Sequence, residues 1–172
     1  MANAAKKTPA KATAGKAGAR VKAGATHSAR KRAKKTFTAR AAKEITATFV
    51  DAAGLTARVA AALAAANVNI LAGTGYSASG ARRKAIFTLI VDNLARAEKA
   101  LEKIGAEDIE DSSVITVETP NKVGALEKIS KIIAEAGINI YYFYSTTSSG
   151  KTATCVFRTA DDKKAIRVLS EA

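Results

Sequence analysis

Two glycines seventy residues apart, Gly54 and Gly124, each stand just before an amphipathic run. A helix start carries unpaired backbone N–H groups and a partial positive charge, and a residue without Cβ lets an anion approach that backbone closely. A carboxylate is the natural occupant of such a place. Asn69 and Asn139, also seventy residues apart, bring donors and an acceptor suited to the ammonium and carboxylate of a small zwitterion. Asp51 could neutralise the ammonium, whereas its counterpart Asn121 carries no charge, so two such sites would be unequal. Glycine and asparagine are also common at turns and strand ends, and a purely architectural role is the competing reading.

Other chemistry has little to build on. The single histidine, His27, has no acidic or thiol neighbours in sequence, so neither a metal site nor a histidine-based dyad suggests itself. Cys155, the one cysteine, reads as a small core residue and permits no intrachain disulfide, which points to a reducing, cytoplasmic setting. Glu107, Asp108, Glu110 and Asp111 form an acidic run that reads as a solvated edge or a contact for basic residues. Gly73 to Gly80 is glycine-rich but precedes no helix, a weak match to a phosphate loop. The expectation is a non-enzyme without cofactor or metal.

The elements that must position these residues come in duplicate. A shift of 70 residues lays the chain on itself without a gap, setting Gly54 on Gly124, Asn69-Ile70 on Asn139-Ile140, Ser79-Gly80 on Ser149-Gly150, Phe87 on Phe157, Asp92 on Asp162 and Ala95 on Ala165. Residues 44–50 and 114–119 are β-rich runs. Leu55, Val59 and Leu63 recur at helical spacing, as do Leu126, Ile129 and Ile133. Second strands follow from Val68 and Ile138, hairpins at the Ser-Gly pairs, and second helices behind N-caps at Asp92 and Asp162. Residues 106–111 can add a fourth strand to the first unit, while the sequence ends at Ala172 before a counterpart. Helices on one face of an antiparallel sheet make an α+β fold: two ferredoxin-like βαββαβ modules in tandem, the second lacking its fourth strand. The expected boundaries are a tail over 1–42, one module over 43–112 and another over 113–172.

Strand alternation puts Ile138, Ile140, Tyr142 and Tyr144 on the helix side of the second sheet and Tyr141 and Phe143 on its open face. Two aromatics there imply a covered surface, with scattered surface aromatics as the alternative.

Charge divides the chain. Residues 1–40 hold 12 Lys or Arg and no acid, so they carry nearly all of the net +13 and the remainder is close to neutral. Almost without large apolar residues, the tail reads as disordered. Its densest run, Arg30, Lys31, Arg32, Lys34 and Lys35, suits nucleic acid or another polyanion through salt-sensitive phosphate contacts, with a merely solvating extension as the alternative. No stretch of about 18 apolar residues offers a membrane span.

The string Glu135-Ala-Gly-Ile-Asn-Ile140 after an amphipathic helix, and Val117-Glu-Thr-Pro-Asn-Lys-Val-Gly-Ala-Leu126 before it, resemble the ACT domain, a small regulatory amino-acid-binding module. The first unit carries the pattern more faintly in Asp51-Ala-Ala-Gly-Leu55 and Ala64-Ala-Ala-Asn-Val-Asn-Ile70. The resemblance implies association between modules, a homo-oligomer (a dimer in the simplest case), and an amino acid held at the interface. It also implies contacts from Asp51, Ala53, Gly54, Leu55 and Asn69, and from Asn121, Lys122, Val123, Gly124, Ala125 and Asn139. Ala53 and Val123 stand where the family usually has proline.

Overall fold

A computed structural model describes residues 36–78, 83–147 and 150–172. The tail cluster Arg30, Lys31, Arg32, Lys34 and Lys35 and the turn residues Ser79, Gly80 and Ser149 lie outside the described residues. The elements are β1 (Thr38–Val50), α1 (Leu55–Ala65), β2 (Ile70–Ala78), β3 (Lys84–Val91), α2 (Leu94–Lys103), β4 (Asp108–Pro120), α3 (Ala125–Glu135), β5 (Ile140–Thr147), β6 (Thr152–Thr159) and α4 (Asp162–Glu171). They build one six-stranded antiparallel sheet in the order β2-β3-β1-β4-β6-β5.

β1 and β4 are each 13 residues long and pair antiparallel from Thr38↔Glu118 to Thr48↔Asp108. Lys43 lies opposite Ser113, its own counterpart at the repeat spacing. An internal two-fold axis therefore passes between these two residues. The C-terminal half of β1 opens the first module, and the N-terminal half of β4 completes it. β4 then continues, without a break, as the opening strand of the second module. Among the described residues α4 is the last element, and the position beside the C-terminal half of β4 is held by the N-terminal half of β1, residues that composition alone assigns to the tail. Phe37 is only 3% exposed, and Ala39 packs with it on the second core. Composition could not reveal this, because what orders residues 37–42 is a partner strand more than 70 residues away.

Alternation on β1 fixes which face carries the helices. Ile45, Ala47 and Phe49 join the core under α1 and α2, and Phe37 and Ala39 join the core under α3 and α4. All are odd-numbered residues of one unbroken ladder, so all four helices share a face. Leu55, Val59 and Leu63 of α1, and Ile129 and Ile133 of α3, are the buried stripes the helical spacing predicts. On the opposite face Ile90, Val114 and Val156 form a smaller cluster that gathers Ala72 of β2 and Tyr144 of β5. Those edge strands come into contact with one another, so the sheet curls around that cluster.

The repeat is not gapless. On β2 and β5 the spacing of 70 holds, but Gly75 pairs with Phe87 whereas Ser145 pairs with Cys155. Beyond each hairpin the spacing is therefore 68. The second-half counterparts of Ala97 and Leu101 are Ala165 and Leu169, all fully buried. The helix N-caps are Asn93, accepting from Arg96 N at 3.0 Å, and Asp161, accepting from Lys164 N at 2.9 Å. Asp92 and Asp162 are not the caps, and Cys155 matches Phe87 rather than Ala85. A connection two residues shorter in the second hairpin explains the change, and matches such as Phe87 with Phe157 across the gapless alignment concealed it.

Both edge strands also carry a bulge, at Ile70/Ala72 and Ile140/Tyr142. The extra residue reverses the alternation beyond it. Phe143 thus pairs opposite Phe157 on the helix side, their rings stacked at 5.9 Å, while Tyr142 and Tyr144 turn to the curled face. This corrects the expectation that Phe143 lies on the open face and the two tyrosines on the helix side.

Phe37→Ala should destabilise the fold by about 3 kcal/mol, as for other buried phenylalanines. Thr38→Ala, at an exposed neighbour, should stay within about 0.5 kcal/mol of wild type. Urea unfolding of both variants measures the difference.

Candidate functional site

The strand-to-helix turns of the two halves are near copies. Each helix is entered through a left-handed glycine, Gly54 at φ 79° and Gly124 at φ 81°, and neither helix has a side-chain N-cap bond. Leu55 N donates to Ala52 O at 3.2 Å and Ala125 N to Lys122 O at 3.1 Å. Asp51 N donates to Arg83 O and Asn121 N to Lys151 O, both at 2.9 Å, tying each turn to the neighbouring hairpin. The space where a Cβ would project from either glycine is empty to 4 Å.

A cavity opens beside each turn. The first, about 300 Å³, is bounded by Asp51, Gly54 and Leu55 and by Tyr76, Ser77 and Phe87. Asp51 accepts a hydrogen bond from Ser77 Oγ at 2.9 Å, so its carboxylate is already engaged. Leu55 is buried and belongs to the core as well as to the cavity wall. The second, about 190 Å³, is bounded by Asn121, Lys122 and Ala125 above and by Thr119, Ser145 and Cys155 below. Val123 points fully into solvent. Burial pushes the Cys155 thiol up from its ordinary range, so it stays protonated.

Asn69 and Asn139 are elsewhere. Asn69 N donates to Asp92 Oδ1 at 3.0 Å, and Asn139 O accepts from Ala160 N at 2.9 Å, at the far ends of the strands. Ser77 lies eight positions beyond Asn69 along β2, about 25 Å at the usual strand rise. A module's own turn and its own asparagine therefore do not share one cavity. Thr119, Ser145 and Cys155, and Tyr76, Ser77 and Phe87, were not singled out as site residues from sequence. Strand alternation would have placed the first-strand member, Thr119, beneath the helix start; the others needed the hairpin register.

One further polar cluster lies on the curled face. Glu44, fully buried, accepts hydrogen bonds from the Tyr142 and Tyr144 hydroxyls, the latter at 3.2 Å. Desolvation raises the Glu44 carboxyl above its ordinary range, with Asp162 adding to the effect and the Tyr144 hydrogen bond and Arg158 opposing it. Burial and the carboxylate together hold Tyr144 protonated well above the ordinary phenol range. The contact ties β1 to β5, and so the first half to the second. Among the described residues no group of three or more His, Cys, Asp or Glu could hold a metal, and no helix is long and apolar enough to cross a membrane.

A carboxyl whose pKa is raised by folding adds stability that is complete below the unfolded value, about 4.3, and is lost as pH rises through the folded value. Glu44→Gln removes that titration. The variant should melt level with wild type near pH 4 and a few degrees higher near pH 8, by differential scanning calorimetry. Glu44→Ala should melt lower at both, by about 1–3 kcal/mol, because it strands two hydroxyls.

A family model described as an ACT domain pair matches residues 42–172. A search of curated proteins finds no match. Among solved structures, protein BT0572 from Bacteroides thetaiotaomicron is 29% identical with a TM-score of 0.67, covering 78% of this chain and 90% of that one. The ligand-free regulatory subunit of aspartate kinase from Thermus thermophilus is 18% identical with a TM-score of 0.59, covering 81% and 99%. The regulatory subunit of aspartate kinase from Thermus flavus is 22% identical with a TM-score of 0.56, covering 79% and 95%. The two kinase subunits share the fold.

Proposed function

The chain belongs to the ACT domain pair family over residues 42–172, and from that membership we propose a regulatory, non-catalytic protein that senses a free amino acid at an interface of its ACT-like modules. The observation that carries the reading is the repeated arrangement at the starts of α1 and α3. In each, a helix that has no side-chain cap is entered through a left-handed glycine, and the turn borders a cavity, lined by Gly54 and Leu55 in the first half and by Ala125 and Leu126 in the second. Helix-start amides complement a carboxylate, and the cavity beside them receives the rest of the molecule. Two neighbours of the same fold are regulatory subunits by name, which agrees with a role in control rather than chemistry.

Leu71 on one edge strand and Tyr141 and Phe143 on the other are half or more exposed. Apolar side chains beside an unpaired strand edge favour association with a second copy of the chain. A ligand that contacts both sides of such an interface shifts the population toward the associated form. The regulatory output would be that shift.

The tail supports a second reading. Twelve basic residues with no acidic one among residues 1–40 would bind nucleic acid or another polyanion without reading sequence. The folded part would then serve for dimerisation.

A thermal-shift series over the twenty amino acids tests the first reading. At 100 times its dissociation constant, a ligand should stabilise by about 2.7 kcal/mol. The double variant Gly54→Ala/Gly124→Ala should lose the response. Gly105→Ala, at another left-handed glycine away from both cavities, should keep it. A flat response from wild type to all twenty would discard the reading. For the second, duplex DNA retention should fall steeply with salt and vanish on removal of residues 1–33; retention that survives the deletion would dismiss a tail interaction.

A further inference from the structure

We propose that the amino-acid site of this chain is the cavity of its second half, and that Thr119 at the floor selects a short side chain ending in a hydroxyl or amide. The proposal deepens the reading above and depends on it. It starts from how the duplicated halves have diverged at equivalent positions.

In the first half the Phe87 ring lines the floor, and Phe49 packs beneath it edge to face at 5.9 Å. Gly75 lies against the Phe87 ring, where an added Cβ would come within 3.0 Å of it. The corresponding residues of the second half are Thr119 for Phe49, Cys155 for Phe87 and Ser145 for Gly75. Two rings have been replaced by two small side chains, and a glycine by a hydroxyl. All three replacements bring polar or polarisable atoms, and all three residues line the same cavity.

Thr119 supplies the second, independent observation. It is 2% exposed, and among the described residues its Oγ1 has no hydrogen-bond partner. Buried hydroxyls are nearly always paired, because an unpaired one costs about 1–3 kcal/mol. A ligand side chain that offers Oγ1 a partner relieves that cost, whereas a methyl group of the same size does not. The other end of the cavity fits the common part of an amino acid. Leu126, in the first turn of the side-chain-uncapped helix α3, and Lys122 line that end, where an amide and a cation suit a carboxylate. The first-half cavity offers a ring at its floor and a carboxylate, Asp51, already engaged by Ser77.

Calorimetric titration of the full chain with L-serine and L-alanine tests the assignment. Wild type should bind one L-serine per chain and prefer it to L-alanine by ~10-fold, the worth of one buried hydrogen bond. Thr119→Val keeps the side-chain shape and should erase that preference. Thr119→Phe/Ser145→Gly/Cys155→Phe copies the first half's floor into the second and should bind neither. If this triple variant does not fold, the Thr119→Val comparison alone decides. Two L-serine per chain, or a preference that survives Thr119→Val, would overturn the proposal and leave amino-acid sensing standing. Absence of binding by any of the twenty amino acids would overturn both.

Discussion

The antiparallel pairing of β1 with β4 is the interaction on which the rest depends. Residues 38–48 and 108–118 form one ladder centred on Lys43 and Ser113. Each strand is long enough to serve two modules, so neither half has a complete four-stranded sheet without the other. The ladder also fixes direction. Because alternation runs unbroken along β1, the two helical layers must lie on one side, and the opposite side is left to the small cluster around Ile90, Val114 and Val156. The curl that brings β2 toward β5 then encloses Glu44 with its tyrosines. A single register thus governs the helix layer, the enclosed carboxylate and the positions of both helix-start cavities.

Much of this was readable in the residues. The duplication, the βαββα order, the amphipathic stripes of α1 and α3 and the two turn glycines follow from spacing alone. What escaped was of three kinds, each with a physical cause. Residues 37–42 look like tail because Ala and Arg do not announce a strand; their order comes from a partner distant in sequence. The second hairpin is two residues shorter, a change that phenylalanine and aspartate matches on either side disguise. The bulge at Ile140/Tyr142 reverses alternation, and bulges leave little trace in composition. The shorter hairpin and the bulge decide where Phe143, Tyr142, Tyr144 and Cys155 lie, so spacing alone does not reveal the polar floor of the second cavity or the Glu44 cluster.

Divergence between the halves reaches the floors of the two cavities. Core positions such as Ala97 and Ala165, or Leu101 and Leu169, keep the same residue, since each must fill the same gap under the same helix. The floor positions do not: Phe49 and Phe87 have Thr119 and Cys155 as their counterparts. Glu44 likewise has a valine, Val114, as its counterpart. Near-symmetric packing with unsymmetric polar groups is what a duplicated scaffold looks like when its two copies carry different tasks.

The division of β1 between the halves bears on how the molecule comes to be assembled. Thr38 finds Glu118 across 80 residues, and the sheet of the second half is incomplete until the beginning of the folded region returns to it. Closing so long a loop brings a cost in chain entropy before any compensating contact is made. The first βαββα unit can collapse locally as it emerges from the ribosome, but its leading strand segment must wait, unpaired, for a partner that is synthesised later. During that interval the same segment of one nascent chain is complementary to β4 of another, so exchange between chains competes with closure within one.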